Sequence, residues 1–176
     1  HGRDRRQRQM CIRDSGNRLL SISAAIFHHC RRCDIPVMWE NPWLSLQWLT
    51  PAAKKFASSA DCADIYVDQC GYGARWKKPT RLRCLGLSAP QRLEVHCRRL
   101  VAGKKHLCSF SCRPHVLLQG RDEHGTAWTA RASAYPQPLA ERIADVFLDT
   151  AQMSVLAWQA RGCYKPLIHR ISSTGS

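Results

Sequence analysis

The side chains that could do chemistry in this sequence fall into two groups. One is a short apolar run that ends on a carboxylate and an amide, Trp39-Glu40-Asn41-Pro42. The other is a cluster of thiols and imidazoles, Cys97, His106, Cys108, Cys112 and His115, set among Arg98, Arg99, Lys104, Lys105 and Arg113. Thiolate and imidazole are the ligands that tetrahedral zinc takes. Cys97, Cys108, Cys112 and His115 are therefore the candidate zinc ligands, with Cys84 a further donor within reach of the set. The spacing Cys97-x10-Cys108-x6-His115 matches no standard finger, so buried or free thiols in an irregular insert are the other reading. Arg98, Arg99, Lys104 and Lys105 are the candidate phosphate contacts. A second thiol pair, Cys30-x-x-Cys33, lies in a helical pattern and reads as core and helix end.

Glu40 and Asn41 gain meaning from where they stand. In open α/β sheets, ligands bind beyond the carboxyl ends of the strands, and a carboxylate there can hydrogen-bond a polar ring. The plainer reading is a helix N-cap, since Asn followed by Pro is good N-cap chemistry.

The elements that must carry these groups are readable from pattern. Leu19, Ile22, Ser23, Ile26 and Phe27 recur as one buried helical face, and Arg31-Arg32 suits its C-terminus. Ile35 to Trp39 reads as a buried strand. A helical patch at 51–59 follows, then strands at 63–68 and 80–85. Val116–Leu118 and Thr126–Thr129 are expected to pair around Asp122-Glu123-His124-Gly125. A helix from Pro138 to about Ala160 presents Leu139, Ile143, Val146, Phe147, Met153, Leu156 and Ala157. The fold class expected is α/β: a partial Rossmann-like, methyltransferase-type open sheet with an irregular Cys/His-rich insert and a C-terminal helix. The divisions are 18–87 for the sheet core, 88–132 for the basic insert, 133–162 for the closing helix and 163–176 for a tail.

Residues 5–15 stand apart, with neither apolar period nor capping pattern. They resemble the in-frame translation of a transposase-based sequencing-library adapter, so residues 1–17 are set aside as a disordered, adapter-derived segment. A natural basic arm is the alternative. On the adapter reading the natural frame is entered midway and the chain is a truncated piece. Of the formal charge of +14, residues 1–17 contribute five Arg and two Asp, so the remainder still carries +11. That balance favours a polyanionic partner, nucleic acid first and DNA over RNA. No apolar run approaches the length of a membrane span, and no secretory signal opens the chain. A soluble protein, nuclear or cytoplasmic with no membrane partner, is expected. The ten cysteines then read as reduced thiols or metal ligands rather than disulfides.

The order of segments resembles the second half of a DNA cytosine-5 methyltransferase. That family has a strand ending Glu-Asn-Val, a later strand leading to Tyr-Gly-Val-Pro-Gln, an Arg-x-Arg run, and a late Gly-Asn-x-Val before Pro and a Leu-Ala-rich helix. Here Trp39-Glu40-Asn41-Pro42, Tyr72-Gly73, Lys78-Pro79-Thr80-Arg81 and Tyr135-Pro136-Gln137-Pro138-Leu139-Ala140 are similar. The match covers about 19–86 and 133–150. Pro42 replaces the family's Val, Ala74-Arg75-Trp76 replaces Val-Pro-Gln, and no Gly-Asn precedes Tyr135. The shorter Asn41-Pro42-Trp43 also echoes the Asn-Pro-Pro-aromatic motif of adenine-N6 methyltransferases, without the second Pro.

The resemblance implies that the target cytosine is flipped out. It also implies that Glu40 holds the ring nitrogen with Asn41 shaping the turn, that Lys78 and Arg81 support the pocket or contact phosphate, and that S-adenosylmethionine supplies the methyl group. No Pro-Cys dipeptide and no glycine-rich cofactor strand occur, so this chain alone is not expected to catalyse the reaction. A non-enzymatic nucleic-acid-binding module with a zinc-stapled basic insert, from a mobile-element-type polyprotein, is the competing expectation.

Overall fold

The computed structural model describes residues 2–98, 100–102 and 105–160. Helix α1 (Gly2–Arg32) leads into strand β1 (Val37–Pro42), helix α2 (Pro51–Ala57), and strands β2 (Cys62–Asp68) and β3 (Pro79–Leu85). A small hairpin, β4 (Leu100–Ala102) with β5 (Lys105–Leu107), then helices α3 (Trp128–Arg131) and α4 (Gln137–Ala160), complete the order.

The three main strands form one sheet in the order β1-β3-β2, with β3 antiparallel to both neighbours. Strands β1 and β2 therefore run parallel to each other, and the chain crosses between them through α2. The class is α/β as expected, but the central strand of the three is reversed instead of joining an all-parallel sheet. A short parallel bridge between Val67 and Val95 widens the sheet beyond β2.

Alternation along the strands sends two different sets of side chains to the two faces. Ile65, Val67, Leu82 and Cys84 meet Leu93, Leu139 and Val146, so α4 covers one face. Trp39 and Leu85 meet Phe27, Trp48, Ala53 and Phe56, so α1 and α2 cover the other. Phe27 packs edge-on against Phe56, with ring centroids 4.8 Å apart. Helix α2 starts cleanly because Thr50 caps it, its hydroxyl accepting from the Ala53 N–H, with Pro51 in the first turn.

Several expectations need correction. Residues 5–15, expected to be disordered, belong to α1; their Arg, Gln and Met are good helix formers, and neither Pro nor Gly interrupts them. Of the face expected for that helix Phe27 is buried, together with Leu20 and Ala24, whereas Leu19, Ile22 and Ile26 are 65%, 48% and 55% exposed. The helix carries two apolar stripes one residue apart, and periodicity cannot choose the phase. Helix α4 buries Leu139, Ile143 and Val146 as expected, then Thr150, while Met153 and Leu156 are exposed. The expected 116–118/126–129 hairpin does not form. Asp122 accepts N–H bonds from His124 and Thr126 and pairs with Arg131. That local network turns Trp128–Arg131 into helix α3. Glu40 and Asn41 do not lie beyond the strand. They sit within the ladder, opposite Leu82 and Arg81, because Pro42 is at the tip of the outer strand, where its missing donor costs little.

One buried charge organises the α2 face. Arg83 is 2% exposed and grips Asp64 with two nitrogens, each contact 2.7 Å long. It also donates to the Ala53 carbonyl and lies 4.9 Å over the Trp48 ring. Asp64 is on the solvent side of the pair, its side chain 30% exposed, so its loss leaves the buried guanidinium short of a partner that water replaces in part. Asp64→Ala is expected to lower the unfolding free energy by about 1–2 kcal/mol, read as a lower urea midpoint at unchanged slope.

Candidate metal centre

At the carboxyl end of β2 the chain makes a short 3-10 turn, Gln69–Tyr72, closed by Gly73 in the left-handed region. Cys70 lies on this turn and is buried. Three further donors arrive from the insert. Cys97 follows the Val95 bridge, Cys108 opens a tight turn after β5, and His115 ends the segment that leaves that turn. The donor atoms of Cys70, Cys97, Cys108 and His115 all lie within 4.8 Å of one another.

Two of the donor–donor distances match the edges of a zinc tetrahedron. Zinc with bonds of about 2.3 Å to sulfur and about 2.1 Å to nitrogen puts tetrahedral edges at about 3.8 Å between sulfurs and about 3.6 Å between sulfur and nitrogen. The Cys97 Sγ–Cys108 Sγ distance is 3.8 Å, and Cys97 Sγ lies 3.6 Å from His115 Nε2. The cluster can hold a metal ion. Four protein ligands make a closed set, the arrangement of a structural rather than a catalytic site.

The surroundings position the ligands before any ion arrives. Asp68, buried at the end of β2, accepts from the Cys97 N–H at 2.8 Å and from the Tyr66 hydroxyl at 2.9 Å. Lys77 pairs with the same carboxylate at 3.4 Å and reaches the Cys97 carbonyl. Around Cys108 the turn closes with the Cys112 N–H on the Cys108 carbonyl and the Cys108 N–H on the Arg113 carbonyl. The Phe110 N–H points at Cys108 Sγ at 3.4 Å, and the Ser109 hydroxyl donates to Cys97 Sγ. Burial pushes the Cys108 thiol up, but donors from Ser111 and Phe110, with Cys97, outweigh it and bring it down to about 6. Burial, with the neighbouring Cys97 and Cys108, holds the Cys70 thiol far above the ordinary thiol range. Gly71 is required between these parts, since a Cβ there would come within 2.0 Å of Val95 Cγ1.

Three of the four expected ligands thus converge, and the fourth is Cys70 in place of Cys112. Cys112 is exposed, at the positive-φ position of the Cys108–Arg113 turn, and is not a member of the cluster. Cys84 is deep in the sheet, where burial pushes its thiol up to about 12, and it stays outside the set. Cys70 was missed because it lies on the turn after β2, with no spacing pattern linking it to the insert; the signal present was a Cys two residues beyond an acid-terminated strand.

The other candidate residues are dispersed. Lys78 donates to the Ala132 carbonyl at 2.7 Å. Arg81 is packed over Trp43 at 4.3 Å and Trp48 at 5.1 Å while reaching Asp64. Arg98 is exposed beside Cys97, and its N–H donates to Ser109. Lys105 opens β5, whereas Arg99 and Lys104 fall outside the described residues. Asn41 is half-buried. Glu40, also half-buried, faces Tyr135, whose phenol is held above its ordinary range by burial first and then by that carboxylate. Cys33 is exposed at the end of α1, 3.7 Å from His29 Nε2.

No family model, curated protein or solved structure matches this chain. Among the described residues no helix is long and apolar enough to cross a membrane.

Cobalt(II) titration is expected to give the absorption of a tetrahedral thiolate site, with one metal bound per chain. Cys70→Ser should weaken binding at least tenfold, whereas Cys112→Ser should leave it unchanged; the reverse pattern would restore the ligand set expected from sequence. Ligands bind deprotonated, so metal binding releases protons and affinity falls as pH is lowered.

Proposed function

We propose that this chain is a nucleic-acid-binding module whose basic insert is stapled to an α/β sheet by zinc. One observation carries the reading: the metal ligands come from both parts, Cys70 from the end of β2 and Cys97, Cys108 and His115 from the insert. Such a centre has no open position for chemistry, so its role is to hold the insert in place. The tethered surface is basic. Arg75, Arg98 and Arg113 are exposed around the centre, on a chain of net charge +14. A surface of that sign attracts phosphate and releases counterions when it binds. DNA is the first partner to test.

Affinity for a labelled DNA should fall on the order of 100-fold between 50 and 200 mM salt if about four phosphates are contacted. Removing the metal, or Cys70→Ser, should weaken binding at least tenfold. Binding that ignores salt, or no binding, would overturn the reading.

A second reading, the back half of a DNA cytosine-5 methyltransferase-like domain, is favoured by the meeting of Glu40 and Tyr135. These residues come from the two segments similar to that family's Glu-Asn strand and its closing element. Doubly wound folds commonly reverse a strand at the sheet edge, whereas the reversed strand here is the central one, so the strand order itself does not favour this reading. Among the described residues no glycine-rich strand and loop cradles S-adenosylmethionine, and the chain holds no Pro-Cys dipeptide, so no methyl-transfer step is assigned to it. The test is the natural transcript upstream of Leu19. A glycine-rich strand and a Pro-Cys loop encoded there support this reading, and unrelated sequence removes it.

A further inference from the structure

Three depressions meet at Arg75. One of about 630 Å³ runs from Gly73 to Ser111, Arg113 and Pro114 on the turn beside the metal centre. A second of about 460 Å³ is walled by Tyr72, Trp76, Tyr135 and Pro136. A third of about 350 Å³ is lined by Trp76, His124, Trp128 and Arg131. Arg75 borders all three, and Trp76 and Arg131 border two. Sharing these walls, the three depressions lie side by side from the turn at Arg113 to α3 and the start of α4, and are taken together as one groove.

The groove alternates cations and aromatic rings. The Arg75 guanidinium lies 5.6 Å from the Trp128 ring centre. Trp76 is pinned from behind, its indole N–H donating to Gln69 Oε1 at 3.0 Å, and Gln69 is itself fully buried. The Val116 N–H donates to the Arg75 carbonyl at 2.8 Å, which fixes the segment leaving the metal turn along the groove. Of the two acids at the rim, Asp122 is engaged by Arg131 and by two backbone N–H groups. Glu123 is exposed and pairs with His124.

Rigid aromatic walls between arginines suit a chain that offers flat rings and phosphates in turn. A duplex keeps its rings stacked inside, where recessed indoles cannot reach them. An unpaired strand can lay a base against Trp76, Trp128 or Tyr135 while Arg75 and Arg113 meet its phosphates. We propose that this groove binds single-stranded nucleic acid, with Arg75 as its central contact. The inference rests on the nucleic-acid reading above and specifies both the form of the ligand and its place on the protein.

The test uses the full, zinc-loaded chain and fluorescence anisotropy at 100 mM salt. The probes are a labelled twelve-nucleotide oligothymidine, the matching oligouridine and a twelve-base-pair DNA duplex. The two single strands separate DNA from RNA as the source, and tight binding of either supports the groove. The expected result is single-strand binding at least tenfold tighter than duplex binding. Quenched tryptophan fluorescence and about tenfold losses for Arg75→Gln and Trp128→Leu should accompany it. Arg113→Gln, on an exposed side chain, should lose binding too and covers the case in which Trp128→Leu does not fold; the cobalt spectrum reports whether each variant is intact. Duplex binding as tight as single-strand binding and untouched by these variants overturns the groove while leaving the nucleic-acid reading standing. Equal displacement by polyglutamate overturns the groove as a nucleic-acid site and marks it as a general anion surface. Absence of binding to all three probes overturns both.

Discussion

The buried carboxylate of Asp68 takes three donors at the end of β2: the Tyr66 hydroxyl, the Cys97 N–H and the Lys77 ammonium. A charge in that position is tolerable only when it is paired and hydrogen-bonded, so the three partners are held as tightly as the carboxylate itself. The consequence is geometric. The same residue that ends β2 sets where the insert begins, two residues before Cys70 on one side and against Cys97 on the other. The metal centre and the groove beside it both follow from that one junction.

The two faces of the sheet solve different problems. The α4 face is apolar and closes with Leu, Val and Ile. The α1/α2 face mixes large rings with ions: Arg83 and Arg81 share Asp64 and lie over Trp48, and Arg81 also covers Trp43. Guanidinium groups suit this role because they are planar, weakly hydrated and able to stack on indoles. Of the arginines expected from sequence to contact nucleic acid, Arg81 is locked into the sheet and Arg98 is exposed on the insert.

What was legible in the sequence follows the range of the interactions involved. Strands β2 and β3 and helices α2 and α4 lie where composition and turn residues place them, because those signals act over a few residues. The phase of α1 was not legible, since Leu20-Ala24-Phe27 and Leu19-Ile22-Ile26 have equal claim to a helical face and only the position of Trp39 and Phe56 decides. Hairpin β4–β5 was hidden in a basic stretch with no alternation to mark it. In the centre, Cys97, Cys108 and His115 were recognisable as a local group of soft donors. Cys70 was not, because a contact across 27 residues of chain is set by the sheet and leaves no trace in spacing.

The origin of the four ligands also bears on how this molecule can be taken apart. Residues 88–132 carry three donors and leave the fourth behind in the sheet. Moved to another scaffold, that segment would bring a three-ligand site with a vacant position, the arrangement that admits water to zinc. The sheet, for its part, would keep a lone buried thiol at a strand end. The insert is thus an appendage by sequence but not a transferable cassette: its donor set is completed by one cysteine on the turn after β2.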